Sequence, residues 1–270
     1  MSTESRNPRS IGLDKMSAFE IVRLMNEEEQ AVMRALDSAA EPISKAVERA
    51  AQAYQDGGRI IYVGAGTSGR IATMDAAEMP PTFGIDSDRF IALVAGGDAA
   101  GKAAIEDAED DEHQAITALN NLKITPKDVV IGLAASGRTP FVLAAMRHAK
   151  QKGIWTCGIA NNTKAPLLDQ VDLPILIKTG AEILTGSTRL KAGTAQKLVL
   201  NRISTGAMVL SGKVVENLMV DVAAKNAKLK DRCVRIACEL TPATKEEARE
   251  ALESNGWDVR KFLEAQKQTS

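Results

Sequence analysis

Short runs rich in β-branched residues, Ile60–Val63, Phe90–Val94, Val129–Leu133, Ile154–Ile159 and Leu173–Ile177, recur through the middle of the chain with helical stretches between them. This alternation is the strongest constraint on the fold. The runs are largely apolar, with Thr156 the polar exception, and such strands with intervening helices build a parallel sheet joined by right-handed crossovers. The fold class is therefore α/β, a parallel sheet sandwiched by helices. Ligands in such folds lie beyond the carboxyl ends of the strands, so the turns there are where function is sought.

The run Ile60–Val63 leads into Gly64-Ala65-Gly66-Thr67-Ser68-Gly69-Arg70 and then into Ile71–Ala77, which reads as helix. Glycines let the backbone approach a ligand, and the unpaired N–H groups at a helix start attract an anion. The expected ligand group is a phosphate. The spacing is also the G-x-G-x-x-G of dinucleotide sites, but those need an acidic residue after the next strand, where this chain has Ala95-Gly96-Gly97. Thr67 and Ser68 instead supply hydroxyl donors suited to a monophosphate. A second turn, Ala134-Ala135-Ser136-Gly137-Arg138-Thr139-Pro140, repeats the pattern, with Ser136-Gly137-Arg138 answering Ser68-Gly69-Arg70. Both turns can converge on one phosphate from neighbouring strands; the bland alternative is a pair of glycine-rich turns holding nothing.

At 270 residues and 44% hydrophobic content, the chain suits one large α/β domain with a small appendage. A net charge of -1 and 3% aromatic residues argue against a nucleic-acid surface or a base-stacking platform. Cys157, Cys233 and Cys238, with His113 and His148, lack metal-ligand spacing, so no metal site is expected, and Cys157 reads as a small core residue. No stretch approaches a membrane span and the start lacks a signal-like apolar core; the cytoplasm is the expected location.

Residues 1–15 read as a loose polar arm, followed by a helix capped at Ser17 and another over Ile43–Tyr54, so that residues 1–56 form a helical lead-in. Residues 57–235 carry the sheet. Thr185–Lys197 reads as a loop entering a helix with Arg189, Lys191 and Lys197 near its start. Cations there oppose the helix dipole, so an anionic ligand or a carboxylate partner is expected, the alternative being a solvated basic face. Leu198–Leu210 reads as fully buried. Residues 240–265 form a small helical cap, with one helix from Thr241-Pro242 to Leu252 and another over Trp257–Leu263; it resembles ubiquitin-associated modules and is read as packing rather than partner binding.

The two turns, together with Asp75-Ala76-Ala77-Glu78-Met79-Pro80-Pro81-Thr82-Phe83-Gly84 and Thr185–Lys197, resemble the N-acetylmuramic acid 6-phosphate etherase family. The resemblance runs from about Glu4 to Arg235. It implies a sugar isomerase (SIS) domain over 57–235, a homodimer with active sites near the subunit boundary, and no metal or organic cofactor. The implied substrate is the sugar phosphate N-acetylmuramic acid 6-phosphate, and the products are N-acetylglucosamine 6-phosphate and D-lactate, in cell-wall amino-sugar recycling. Phosphate binding falls on Thr67, Ser68, Ser136, Gly137 and Thr139, with Gly66, Ser187 and Lys191 as further substrate contacts. The catalytic pair falls on Glu78 and Glu109. Two positions depart from the family pattern: Ala134 where many relatives carry serine, and Asp107 where relatives usually carry glycine.

The implied chemistry suits two carboxylates. In the open-chain sugar the C2 proton is acidified by the C1 aldehyde, so a base can remove it while an acid protonates the departing lactyl oxygen at C3; water then adds at C3. Such roles require environments that separate the two groups' proton affinities. Met79-Pro80-Pro81, apolar and stiff, favours Glu78 as proton donor, and Glu109 is then the base. A non-catalytic sugar-phosphate regulator is the alternative, since glucokinase regulatory protein uses similar domains; an aldose–ketose isomerase fits the Glu-Met-Pro-Pro motif less well.

Overall fold

The computed structural model describes residues 3–101 and 105–268. Its centre is a parallel sheet of β1 (Ile60–Gly64), β2 (Phe90–Val94), β3 (Val129–Leu133), β4 (Trp155–Ala160) and β5 (Leu173–Leu176), in the order β2-β1-β3-β4-β5. Every expected strand is present. β1 and β3 are buried at each residue, whereas β2 and β5, at the edges, are only part-buried. The start of β1 is tied to the start of β3 by Arg59, whose backbone N–H (2.8 Å), Nε (3.1 Å) and Nη2 (2.8 Å) all donate to the buried Asp128. The chain order reverses between β1 and β3, so their carboxyl ends diverge and open a crevice there.

Helices cover the sheet: α1 (Ala18–Ser38), α2 (Ala40–Gln55), α3 (Gly66–Phe83), α4 (Glu112–Asn121), α5 (Pro140–Gln151), α6 (Pro166–Gln170) and α7 (Lys191–Leu210). Ser17 starts α1 with a reciprocal bond to Glu20, as its sequence suggests. α5 buries Phe141, Val142 and Met146 against the sheet, each large side chain contributing roughly 1.5–3 kcal/mol.

α3 differs from expectation at both ends. It begins at Gly66, inside the glycine-rich turn, and continues through Pro80 and Pro81, which read in sequence as a turn. Those prolines withhold two N–H donors, so the carbonyls of Ala76 and Ala77 lack the i+4 bonds of a regular helix, and Gly84 N–H closes the end on Pro80 O at 3.0 Å. α7 also departs from its reading as fully buried, because Val209 and Leu210 are exposed.

The contacts divide the chain into two units. One comprises the chain up to Ala76 with Asp88–Ala207; the other comprises Ala77–Ser87 with the chain from Met208 onward. In the second, α8 (Ala227–Leu240), α9 (Lys245–Ser254) and α10 (Val259–Gln268) share a core of Cys233, Ile236, Ala248, Leu252, Val259 and Phe262. α9 starts at Lys245 rather than at Thr241-Pro242, because Thr244 and Glu247 form a reciprocal cap there. Nor is the N-terminal arm loose: Thr3 and Asn7 are buried in the first unit. Met1 and Ser2 lie outside the described residues. No helix among the described residues is long and apolar enough to cross a membrane.

Candidate functional site

At the carboxyl ends of β1 and β3 the first unit holds a pocket of about 440 Å³. The turn after β1 contributes Gly66, Thr67, Ser68 and Arg70; the turn after β3 contributes Ala134, Ala135, Ser136 and Thr139; Glu4, Glu109 and Thr188 complete the polar lining. A second cleft of about 300 Å³, beside β2, is lined by Thr73, Leu93, Val94, Gln114 and Phe141 among others and has no ionisable side chain in its lining. The first is therefore the candidate site.

The first turn is short because α3 starts two residues after β1 ends, which leaves the leading N–H groups of the helix directed at the pocket. α3 is fixed from behind. Tyr62 in β1 donates to Asp75 at 2.9 Å and Ser204 in α7 donates to the same carboxylate at 3.1 Å, all three buried. Burial pushes the Asp75 carboxyl above its usual range. Ser68 is itself buried, and its hydroxyl donates to Gln196 Oε1 at 2.7 Å; Gln196 Nε2 donates to Asn161 Oδ1 (3.3 Å), and Asn161 Nδ2 to Ile177 O (3.0 Å).

The second turn is held differently. Gly137 has φ +68°, and its N–H closes on Ala134 O at 2.9 Å while its carbonyl accepts from Leu167 N–H at 3.0 Å. A Cβ at Gly137 would lie 2.3 Å from the Ala165 Cβ, so only glycine fits. Ser136 Oγ accepts from Arg138 N–H at 3.2 Å, and Thr139 occupies the N-cap position of α5 without a side-chain cap bond. Ala134 lines the pocket with a methyl group, so the hydrogen-bonding groups on this side are Ser136, Thr139 and the backbone.

Glu109 is carried by a 3₁₀ turn, Glu106–Asp110, between β2 and α4. Asp107 in that turn is not among the residues with positive φ, so its departure from glycine introduces no backbone strain. Glu109 reaches across to the first turn, where a Cβ at Gly66 would sit 3.2 Å from its Oε1. Although solvent reaches it, desolvation first and the neighbouring Asp110 second push its carboxyl above the usual range.

Several expected site residues are placed elsewhere. Glu78 does not line the pocket; it is exposed, three turns further along α3 than Gly66, so the apolar setting suggested by Met79-Pro80-Pro81 is not its environment. Lys191 is buried with Nζ on Glu28 Oε2 at 2.5 Å, and Ser187 is part-buried outside the pocket lining. The expected carboxylate partner at the α7 start is thus found twice over. Glu28 takes the Lys191 charge, and the fully buried Glu182 accepts the Lys191 and Ala192 N–H groups at 3.1 and 2.9 Å. Gly137 shapes the second turn from behind. Cys157 is a core thiol, pushed up by burial. No cluster of His, Cys, Asp or Glu suited to a metal occurs among the described residues.

Comparison with known proteins accords with this geometry. Residues 42–150 match the model of the glucokinase regulatory protein N-terminal SIS domain, and residues 109–203 match the SIS domain. The chain is 50% identical over 258 residues to an N-acetylmuramic acid 6-phosphate etherase of Serratia proteamaculans, covering 96% of this chain and 87% of that one. It is 48% identical over 252 residues to an etherase of the same name from Lactobacillus acidophilus, covering 93% and 85%. The chain belongs to the N-acetylmuramic acid 6-phosphate etherase family. Among solved structures it is similar to a phosphoheptose isomerase from Francisella tularensis (TM-score 0.56, 15% identity, 71% of this chain and 98% of that one) and to phosphoheptose isomerase GmhA from Neisseria gonorrhoeae (TM-score 0.55, 19% identity, 70% and 97%). At that identity the likeness is one of fold. Three pocket residues of this etherase-family chain escape the sequence reading: Glu4, Arg70 and Thr188. Arg70 carries a legible signal in the repeated Ser-Gly-Arg, and Thr188 lies inside a quoted motif; Glu4, in a segment read as loose, carries none.

Proposed function

We propose that this chain is a carbon–oxygen lyase that cleaves the D-lactyl ether of N-acetylmuramic acid 6-phosphate, giving N-acetylglucosamine 6-phosphate and D-lactate. Identity of about one half across most of the chain to proteins named for that activity is the observation that carries the reading. The pocket adds physical support, with hydroxyl donors in the two turns and the carboxyl of Glu109 lying against Gly66.

In this reading Ser136, Thr139, Thr67 and the leading N–H groups of α3 hold the phosphate and so fix the sugar's orientation. Glu109 removes the C2 proton of the open-chain sugar; a carboxyl pushed upward by desolvation is the stronger base when ionised. The lactyl oxygen leaves from C3 as it takes a proton, and water adds to the resulting double bond. We assign that proton to Glu78 by its motif. Because Glu78 is exposed and does not line this chain's pocket, the assignment calls for a homodimer in which a second copy presents Glu78 to the departing oxygen. The steps are proton transfers and require no metal or organic cofactor. We assign the enzyme to the cytoplasm, with the C-terminal helices of 240–265 as a packing cap.

Purified protein given N-acetylmuramic acid 6-phosphate, without added metal or nucleotide, is expected to release D-lactate in proportion to N-acetylglucosamine 6-phosphate. Tight binding with no lactate would replace the enzyme by a sugar-phosphate regulator. Glu78→Gln and Glu109→Gln should each abolish release, and mixing the two variants should restore part of it if the carboxylates meet across two copies.

A further inference from the structure

Glu4 is placed in the pocket by an arm that is pinned on both sides of it. Ahead of it, Thr3 N–H donates to Asn162 Oδ1 at 2.8 Å, and Asn162 Nδ2 donates back to Thr3 Oγ1 and to Ala135 O, both at 3.1 Å. Ala135 is the residue before Ser136, so the arm is bonded to the second turn itself. Thr3 O accepts from Gly186 N–H at 3.3 Å, and a Cβ at Gly186 would lie 2.8 Å from Glu4 Oε2, which sets the carboxylate beside the loop that carries Thr188. Behind it, the buried Asn7 donates to Glu28 Oε2 at 2.8 Å and to Ala181 O at 3.3 Å, and Glu28 is the partner of Lys191. The lining around it holds Glu109 and Arg70, and the Glu4 carboxylate offers two acceptor oxygens there. That arrangement favours a ligand with hydrogen-bond donors, because an ionised carboxylate only accepts.

Resting on the sugar-phosphate reading above, we propose that Glu4 contacts substrate, accepting a hydrogen bond from the C4 hydroxyl of the amino sugar. The phosphate and the lactyl carboxylate are anions and repel it. In the closed ring C2 bears the N-acetyl group, C3 the ether and C6 the phosphate, while the C5 oxygen closes the ring. C1 and C4 keep hydroxyls, and C1 becomes an aldehyde on opening. The C4 hydroxyl is therefore the hydroxyl present in both forms; the other standing donor, the N-acetyl N–H, sits at C2, where Glu109 acts in this reading.

The test uses the product N-acetylglucosamine 6-phosphate, which is not consumed, and its 4-deoxy counterpart, with affinities read by titration calorimetry. The parent protein is expected to prefer the hydroxylated ligand roughly 10- to 100-fold, as for a hydrogen bond to a charged group. Glu4→Ala should bind the two ligands within about twofold of each other, since a contact removed from either side couples the two losses. Equal discrimination by the parent and Glu4→Ala overturns the proposal, because an arm-packing role would weaken both ligands alike. Should Glu4→Ala not fold, Glu4→Gln, which keeps the shape, must show reduced discrimination, and full discrimination there overturns it equally. Absence of binding by the parent protein to either ligand defeats the sugar-phosphate reading as a whole, an outcome distinct from loss of discrimination.

Discussion

The two glycine-rich turns are near repeats in sequence, yet their hydroxyls face different tasks. A carbonyl can only accept, so Ile177 O takes a donor from Asn161, Asn161 Oδ1 is left to accept from Gln196, and Gln196 Oε1 is left to accept the Ser68 proton. Ser68 therefore turns lone pairs, not a proton, toward the pocket. Ser136 receives Arg138 N–H on its oxygen and keeps its proton available for an anion. The glycines differ in the same sense: Gly137 packs against Ala165, while Gly66 faces the Glu109 carboxylate. On the proposed reading Ser136 grips the phosphate, whereas Ser68 and Gly66 leave room for the base. Neighbours, rather than the motif, decide what each serine does.

The largest effect should come from Gly137→Ala. Strain at φ +68° and overlap with Ala165 should cost about 2–4 kcal/mol, seen as a lower melting temperature with loss of sugar-phosphate binding. Next, Ser136→Ala should raise KM roughly 10- to 100-fold with kcat nearly kept, the signature of a lost phosphate contact. Gly66→Ala should instead lower kcat on the order of tenfold, since its methyl meets a flexible carboxylate, with some loss of stability from strain at φ +51°. If its KM rises and its kcat holds, the division between the turns collapses. Ser68→Ala should change KM less than about threefold, because its proton already serves Gln196; a loss as large as that of Ser136→Ala would show Ser68 itself donating to the phosphate.

What the sequence discloses follows from the range of the interactions. Strands buried on two faces announce themselves as largely apolar runs, so all the strands and the position of both turns are legible. Helix ends at prolines are less so: Pro80 and Pro81 read as a turn, yet α3 runs through both to Phe83 and gives up the two bonds their N–H groups would have made. Hydroxyls in the turns are legible as ligand groups, whereas their donor direction is not. Ser68 depends on Gln196, 128 residues away, and Lys191 is claimed by Glu28, 163 residues away. Glu4 is hidden for the same reason, since its arm is fixed by a bond from Thr3 to Asn162 across 159 residues.

The smallest effect tests the first turn's role from the side of the base. Desolvation raises the Glu109 carboxyl most and Asp110 raises it further, so on this reading activity is lost as pH falls through the elevated value and the base takes up its proton. Asp110→Asn removes only the second cause. Glu109 then ionises at lower pH, and the acid limb of kcat/KM should move downward while the phosphate contacts, and hence the response to Ser136→Ala, stay as they were. Both residues are open to solvent, so the displacement should shrink as added salt screens the pair. An acid limb that stays fixed at low salt would mean that the ionisation governing the rate is not that of Glu109, and the first turn would then have no base to make room for.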